Sequence, residues 1–138
     1  MNIIPAILPK TREELIEKLQ ALAGVDYSGR IQIDMCDGNY VPSKTWPFAD
    51  SSMPAKSSFE LASNIKDDGE LIQLLLKFDI DLDLMVADAD SKMVLWDTLL
   101  PQRIIFHLDS ITDNELLTEL LKQKDGIYEV LNRKAIVF

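Results

Sequence analysis

The chain has few of the residues that mark several common classes of protein. Its 138 residues include a single cysteine, Cys36, so an internal disulfide is excluded and a reducing, cytoplasmic location is expected. There is one histidine, and no apolar run approaches the ~20 residues that cross a bilayer. No charged-then-apolar leader opens the sequence, so we expect neither a membrane span nor a secretory signal.

Positive charge is also scarce. The chain has 14 Lys and Arg against 23 Asp and Glu, a formal charge of −9, which argues against nucleic acid and anionic membranes as partners. Apolar residues make up 47% of the chain, enough for one domain over residues 1–138. A complete eightfold βα barrel needs roughly 200 residues or more, so this length is short of one.

Short apolar stretches alternate with segments of helical periodicity. This alternation predicts an α/β fold of parallel βα units. The expected strands are Asn2–Leu8, Arg30–Asp37, Asp79–Val86 and Arg103–Asp109. Lys134–Phe138 is either a fifth strand or a tail. Val41–Asn64, with its prolines and serines, is expected to be a loop with or without a short helical turn.

Four helices are expected between and after these strands. Thr11 and Thr112 each precede a Glu by three residues, the spacing of a capping box, and Gly24 ends the first helix. Asp68–Phe78 forms the second helix, and Asp88 caps a third. The expected inward residues of the first three helices are Leu15, Ile16, Leu19, Leu22, Ala23, Leu71, Leu74, Leu75, Phe78, Met93, Trp96 and Leu100, and those of the fourth are Leu116, Leu117, Leu120 and Leu121.

Each of three strands has one apolar face and one face that becomes polar. Because alternate residues of a strand share a face, Gln32 and Asp34 lie on one side of their strand. Asp83 and His107 occupy comparable places near the carboxyl ends of the next two strands. Such a cluster suits a divalent cation or a proton shuttle. Alternatively, the polar face is hydrated and His107 is an ordinary partly buried histidine.

The residues after the second strand predict a tight turn. Asp37, Gly38 and Asn39 tolerate the backbone angles that such a turn requires. Tyr40 and Trp46 are expected to pack within the loop that follows. Cys36 is expected to be a small buried residue rather than a nucleophile, because the only histidine lies far along the chain.

Three stretches together resemble one enzyme family. They are IQIDMCDGNYVPSKTW at Ile31–Trp46, DLDLMV at Asp81–Val86 and IIFHLDS at Ile104–Ser110. In this order they are similar to the second, third and fourth strands of ribulose-phosphate 3-epimerases. The resemblance implies about four βα units, half of a TIM (βα)8 barrel, and a sugar-phosphate substrate.

The resemblance also implies roles for particular residues. Asp34 matches the family's acid/base carboxylate, which is also a metal ligand. Gln32 and Asp83 stand where the family has metal-binding histidines. The resemblance therefore implies Gln32, Asp34 and Asp83 as the ligands of a divalent metal (Zn, Mn, Fe or Mg). Asp34 and Asp83 are the expected catalytic residues. Ala6 replaces the family's substrate-contacting serine. The expected substrate-binding residues are His107, Met85 and Asp37.

Three interpretations remain open at this point. A homodimer could complete the barrel, with Asp83 of one copy facing Asp34 of the other across the site. The chain could instead be the N-terminal portion of a longer epimerase-like enzyme. A third interpretation is a non-catalytic half-barrel assembly module, favoured by the absence of both metal-binding histidines and by Ala6.

Overall fold

Four parallel strands form the centre of the structure. The computed structural model describes residues 3–50, 56–123, 126–130 and 133–137. The strands are β1 (Ala6–Ile7), β2 (Arg30–Cys36), β3 (Asp79–Met85), β4 (Arg103–His107), β5 (Gly126–Val130) and β6 (Arg133–Val137). The helices are α1 (Arg12–Gly24), α2 (Ser58–Lys66), α3 (Gly69–Leu75), α4 (Met93–Asp97) and α5 (Asn114–Gln123). The predicted alternation of parallel strands and helices is therefore confirmed.

The sheet has the strand order β1-β2-β3-β4-β6-β5. β1 to β4 are parallel, whereas β6 runs antiparallel to β4 and pairs with β5 in a hairpin. The segment Lys134–Phe138, predicted as a fifth strand or a tail, thus contributes residues 134–137 to strand β6, which runs opposite to β4. The hairpin occupies the edge of β4 and leaves β1 and β5 as the outer strands of the sheet.

Most predicted strand boundaries agree with the structure within one or two residues. β1 is the exception, since only Ala6–Ile7 of the predicted seven-residue strand pairs with β2. β4 ends at His107 because Leu108–Ser110 turns into a short 3₁₀ helix. Asn2, residues 51–55 and Phe138 lie outside the described residues. The same holds for the side chains of Leu120 and Leu121.

The segment Val41–Asn64, predicted as a loop with at most a short helical turn, ends in a longer helix than expected. α2 begins within it at Ser58, and Leu61, Ala62 and Ile65 bury its inner face. Its start has a complete capping box: the Ser57 hydroxyl accepts from the Glu60 N–H, and the Glu60 carboxylate accepts from the Ser57 N–H. Ser57, one of the serines that favour a loop in the sequence, therefore begins a helix.

Two other helix starts differ from the prediction. Asp88 has a left-handed backbone (φ 52°) and caps nothing with its side chain, because a 3₁₀ turn over Ala89–Lys92 comes before α4. Leu100, expected inside, is 38% exposed. At α5 the carboxylate of Asp113 accepts from the N–H groups of residues 115 and 116, so Asp113 caps this helix and the capping box predicted at Thr112 is wrong.

The core lies between the apolar strand faces and the helices. Ile31, Ile33, Ile80, Leu82 and Leu84 are completely buried. Most of the expected inward residues pack against them. Buried are Leu15, Ile16 and Leu19 of α1, Leu71, Leu74 and Leu75 of α3, and Phe78 after α3, whereas Leu22 and Ala23 of α1 are only partly buried. Among the described residues, no helix is long and apolar enough to cross a membrane.

Arg12 and Asp68 connect the starts of α1 and α3. The Arg12 guanidinium donates to both carboxylate oxygens of Asp68, and Arg12 Nη2 also reaches Glu70 at 2.9 Å. Asp68 additionally accepts from the Leu71 N–H at 3.1 Å, as the cap of α3. The Arg12 hydrogen bonds hold the pKa of Asp68 below its ordinary value of 3.8.

We expect Asp68→Ala to lower the free energy of unfolding by about 1–2 kcal/mol at neutral pH, since it removes a helix cap and a forked ion pair. Because the folded-state pKa is lowered, this stabilisation is present above pH 3.8 and is lost as the pH falls further. Urea titrations at several pH values would measure it. Glu70→Ala is the control, since that side chain is 55% exposed and should cost less than about 0.5 kcal/mol. Equal costs for the two variants would contradict the assignment.

Candidate carboxylate–histidine site

The strand register brings the predicted site residues together. Asp34 on β2 lies opposite Asp83 on β3, and Asp83 lies opposite Ile105 on β4. His107 follows two residues after Ile105 and therefore shares the face of Asp83. All three side chains thus meet near the carboxyl ends of neighbouring parallel strands, as the alternation of polar residues predicted.

Asp34 is the most buried carboxylate of this group. Only 8% of the residue is exposed, and its Oδ1 accepts a hydrogen bond from Gln32 Nε2 at 2.8 Å. Burial raises the pKa of Asp34 above its ordinary value, and the neighbouring charge of Asp83 raises it further. The Gln32 hydrogen bond and His107 oppose this rise only in part. Asp34 is therefore a stronger base than an exposed aspartate.

Asp83 and His107 form a second pair. His107 Nε2 lies 2.7 Å from Asp83 Oδ1, with 9% of the histidine side chain and 19% of the aspartate side chain exposed. A carboxylate can only accept, so in the neutral imidazole the proton lies on Nε2 and Nδ1 carries the lone pair. Nδ1 is buried and has no hydrogen-bond partner among the residues that the structure describes. This nitrogen is available to accept a hydrogen bond from a ligand.

Asp37 has a different environment. Its Oδ1 accepts from the N–H groups of Asn39 and Tyr40, and its Oδ2 accepts from the Ala87 N–H at 3.0 Å. Gly38 has φ +81°, so the predicted tight turn is confirmed. Asp37 fastens the loop after β2 to the end of β3, and its contact with a substrate stays a prediction. Met85, half-buried at the end of β3, lies in register with Cys36 and rims the same face.

Two residues at the site were not identified from the sequence. The Tyr40 ring lies against the His107 ring, with centroids 5.5 Å apart and planes tilted by 35°. The Tyr40 hydroxyl donates a hydrogen bond to Asp109, which is 69 residues away in sequence. The sequence predicts that Tyr40 and Trp46 pack within their own loop, but Trp46 is 1% exposed and belongs to the main hydrophobic core. No local pattern could have located a contact between such distant segments.

The predicted metal ligands form hydrogen bonds with other side chains. Asp34 accepts from the Gln32 amide nitrogen, and Asp83 is hydrogen-bonded to His107. Across the described residues, no three His, Cys, Asp or Glu side chains are arranged to hold a metal ion. The residues as placed do not fit a metal bound by Gln32, Asp34 and Asp83, and we derive no chemical step through one. The expected divalent cation stays a prediction.

Cys36 follows Asp34 by two residues on the same face of β2 and is 1% exposed. Burial raises the pKa of its thiol to about 11, and the charges of Asp34, Asp83 and Asp37 contribute. We expect a disulfide reagent at pH 8 to label folded Cys36 at least ~100-fold more slowly than the urea-unfolded chain, because the thiolate is rare and covered. Thiol release followed by absorbance would measure both rates. Equal rates would show that the β2 end is open to solvent.

No protein-family model matches this chain, and no curated protein or solved structure matches it either.

Proposed function

We propose that the chain is a sugar-phosphate epimerase-like half-barrel in which Asp34 transfers a proton to and from carbon. The observation that supports this most is the convergence of Asp34 with the Asp83–His107 pair at the carboxyl ends of parallel strands. In barrel enzymes, that end of the sheet carries the catalytic groups. Four parallel strands with intervening helices are consistent with half of such a barrel.

The proposed step is removal of the proton next to the ketone of a ketose phosphate. The Asp34 carboxylate takes this proton, and the electron pair of the C–H bond moves to form an enediolate with the ketone oxygen. An N–H of the Gln32 amide would donate to that oxygen. The lone pair on His107 Nδ1 would accept from a substrate hydroxyl. Return of the proton to the same carbon restores the ketone, and return on the opposite face gives the epimer.

Asp83 has two roles in this proposal. Within one chain it orients His107 through the 2.7 Å hydrogen bond. In a homodimer, Asp83 of the second copy would supply a proton on the face opposite Asp34. The β5–β6 hairpin already pairs with the edge of β4, so we propose that two copies meet through other surfaces. Light scattering on a sizing column, with and without added divalent metal, would test the dimer and whether a divalent metal promotes it.

The direct test is exchange of the substrate proton for deuterium. Ribulose 5-phosphate is incubated with the protein in heavy water, and loss of the C3 proton signal is followed by NMR. We expect wild-type protein to catalyse exchange, and Asp34→Asn to slow it by about 10³-fold, a typical contribution of a general base. This measurement detects proton abstraction even when little epimer accumulates.

The matched control is Asp79→Asn, which changes an exposed aspartate at the opposite end of β3. We expect it to exchange the proton at the wild-type rate. Wild-type exchange no faster than that of Asp34→Asn would contradict the proposal. It would favour a non-catalytic module, an interpretation supported by the mutual hydrogen bonding of Gln32 with Asp34 and of Asp83 with His107.

We also propose a cytoplasmic location. The single, buried Cys36 supports this location, because cysteines of secreted proteins more often form disulfides. The net charge of −9 disfavours an anionic phosphorylated substrate unless the site itself supplies hydrogen-bond donors, and the Gln32 amide is such a donor.

A further inference from the structure

We propose that Tyr40 and Asp109 form a latch that closes the loop after β2 over His107 and controls access to its ring. The inference rests on the proposed function only in taking His107 as part of the site. The loop, Asp37–Lys44, is defined by an isolated antiparallel bridge between its two end residues. Tyr40 lies near its tip and carries the contact with the imidazole.

Both ends of this loop are fixed to the sheet. At one end Asp37 accepts from the Ala87 N–H at the end of β3. At the other end the Thr45 hydroxyl donates to the Asp34 carbonyl and accepts from the Cys36 N–H, both at 2.9 Å, and only 3% of Thr45 is exposed. Movement of the loop is therefore confined to the residues between these attachments.

Tyr40, near the tip of the loop, donates a hydrogen bond to Asp109, which lies in a turn that is fixed to β4. Asp109 belongs to the 3₁₀ turn Leu108–Ser110 that follows β4. The buried Ser110 hydroxyl donates to the His107 carbonyl at 2.8 Å, which fixes this turn to the residue that the latch covers. A phenol that donates to a carboxylate makes a charge-assisted hydrogen bond, stronger than one between neutral groups.

The covered imidazole shows why the latch must open. His107 is 7% exposed, and its Nδ1 is buried with no hydrogen-bond partner among the described residues. A buried acceptor without a partner is unfavourable, so this nitrogen gains a hydrogen bond when a ligand hydroxyl or water reaches it. The Tyr40 ring lies against the imidazole, so we infer that a ligand reaches Nδ1 after the Tyr40–Asp109 hydrogen bond breaks.

The chain is well suited to a test, because His107 is its single histidine. Diethyl pyrocarbonate modifies neutral imidazole, and the rate can be followed by mass spectrometry with reversal by hydroxylamine. We expect Tyr40→Phe, which keeps the ring and removes the hydroxyl, to raise the rate at His107 by about threefold to tenfold. Asp109→Asn should raise it in the same direction. The double variant should exceed neither single variant by more than a small margin.

The matched control is Tyr27→Phe, which removes a hydroxyl that donates to the Arg30 carbonyl at the other end of β2. It should leave the labelling rate unchanged. An NMR titration of His107 in each variant corrects the rates for the fraction of neutral imidazole. Unchanged rates in both Tyr40→Phe and Asp109→Asn, or an equal rise in Tyr27→Phe, would overturn the latch. Labelling requires no substrate, so its outcome is independent of the deuterium-exchange test.

Discussion

Trp96→Ala should lower the free energy of unfolding by about 3–5 kcal/mol, a large part of the 5–15 kcal/mol that typically stabilises a domain. Trp96 is completely buried in α4. Its ring lies edge-on to Phe48, with centroids 6.2 Å apart. Its indole N–H donates to the Ala89 carbonyl at 2.8 Å. Alanine would leave a cavity and a buried carbonyl without its donor.

The same substitution should disturb the rim of the site. Ala89 belongs to the segment after β3, and Ala87 in that segment donates to Asp37 at the start of the Tyr40 loop. Urea unfolding followed by circular dichroism would measure the cost. Trp96→Phe is the control, since it keeps a ring in the core and should cost about half as much. A loss below about 1 kcal/mol for Trp96→Ala would show that Trp96 does not support the core as placed.

Asp34→Asn should stabilise the protein at neutral pH while it slows the proposed proton transfer. The aspartate is buried, and its pKa is raised mainly because burial disfavours the charged form. Asparagine is neutral and keeps an oxygen that can accept from the Gln32 amide. We expect a gain of about 0.5–2 kcal/mol in the free energy of unfolding at pH 7, because replacing a functional group that destabilises the fold commonly raises stability by this amount.

The sign of the pH dependence follows from proton binding. Between the ordinary pKa of 3.8 and the raised folded-state value, the folded chain holds the Asp34 proton and the unfolded chain has released it. The contribution of Asp34 to stability therefore falls as the pH rises through this interval. The advantage of Asp34→Asn should be full above the interval and vanish below pH 3.8.

Thermal and urea unfolding of wild type and Asp34→Asn between pH 3 and pH 8 would measure this difference. Asp79→Asn is again the control, because exposed Asp79 should change stability by less than about 0.5 kcal/mol. A loss of 1 kcal/mol or more for Asp34→Asn at pH 7 would mean that the charged carboxylate is stabilising where it lies. The basis for treating Asp34 as a strengthened base would then be gone.

Local sequence patterns determined a large part of the fold. Alternating apolar residues predicted β2 and β3 almost to the residue, because a strand covered by helices must have an apolar face. Helical spacing predicted the inner faces of α1 and α3. The polar residues at alternate positions also predicted that Asp34, Asp83 and His107 meet, since parallel strands in register align such positions.

Where local signals competed, the prediction was less accurate. Ser57 begins a nine-residue helix, but nearby serines and prolines predict a loop with at most a short helical turn. Asp is a residue type that often caps helices, which led to the prediction at Asp88. Asp88 instead has a left-handed backbone and is followed by a 3₁₀ turn before α4. Thr112 has the spacing of a cap, but its N–H and hydroxyl contact the buried Asp90 carboxylate, and Asp113 caps the helix instead.

The sequence by itself determined the strand–helix alternation and placed Asp34, Asp83 and His107 on polar strand faces, because these features depend on neighbours within a few positions. Only the tertiary structure decided that β6 pairs antiparallel with β4, that Asp83 bonds to His107 rather than standing free as a ligand, and that Tyr40 reaches Asp109 over the imidazole. Those contacts join segments 24 to 69 residues apart, whose meeting depends on how the whole sheet is assembled.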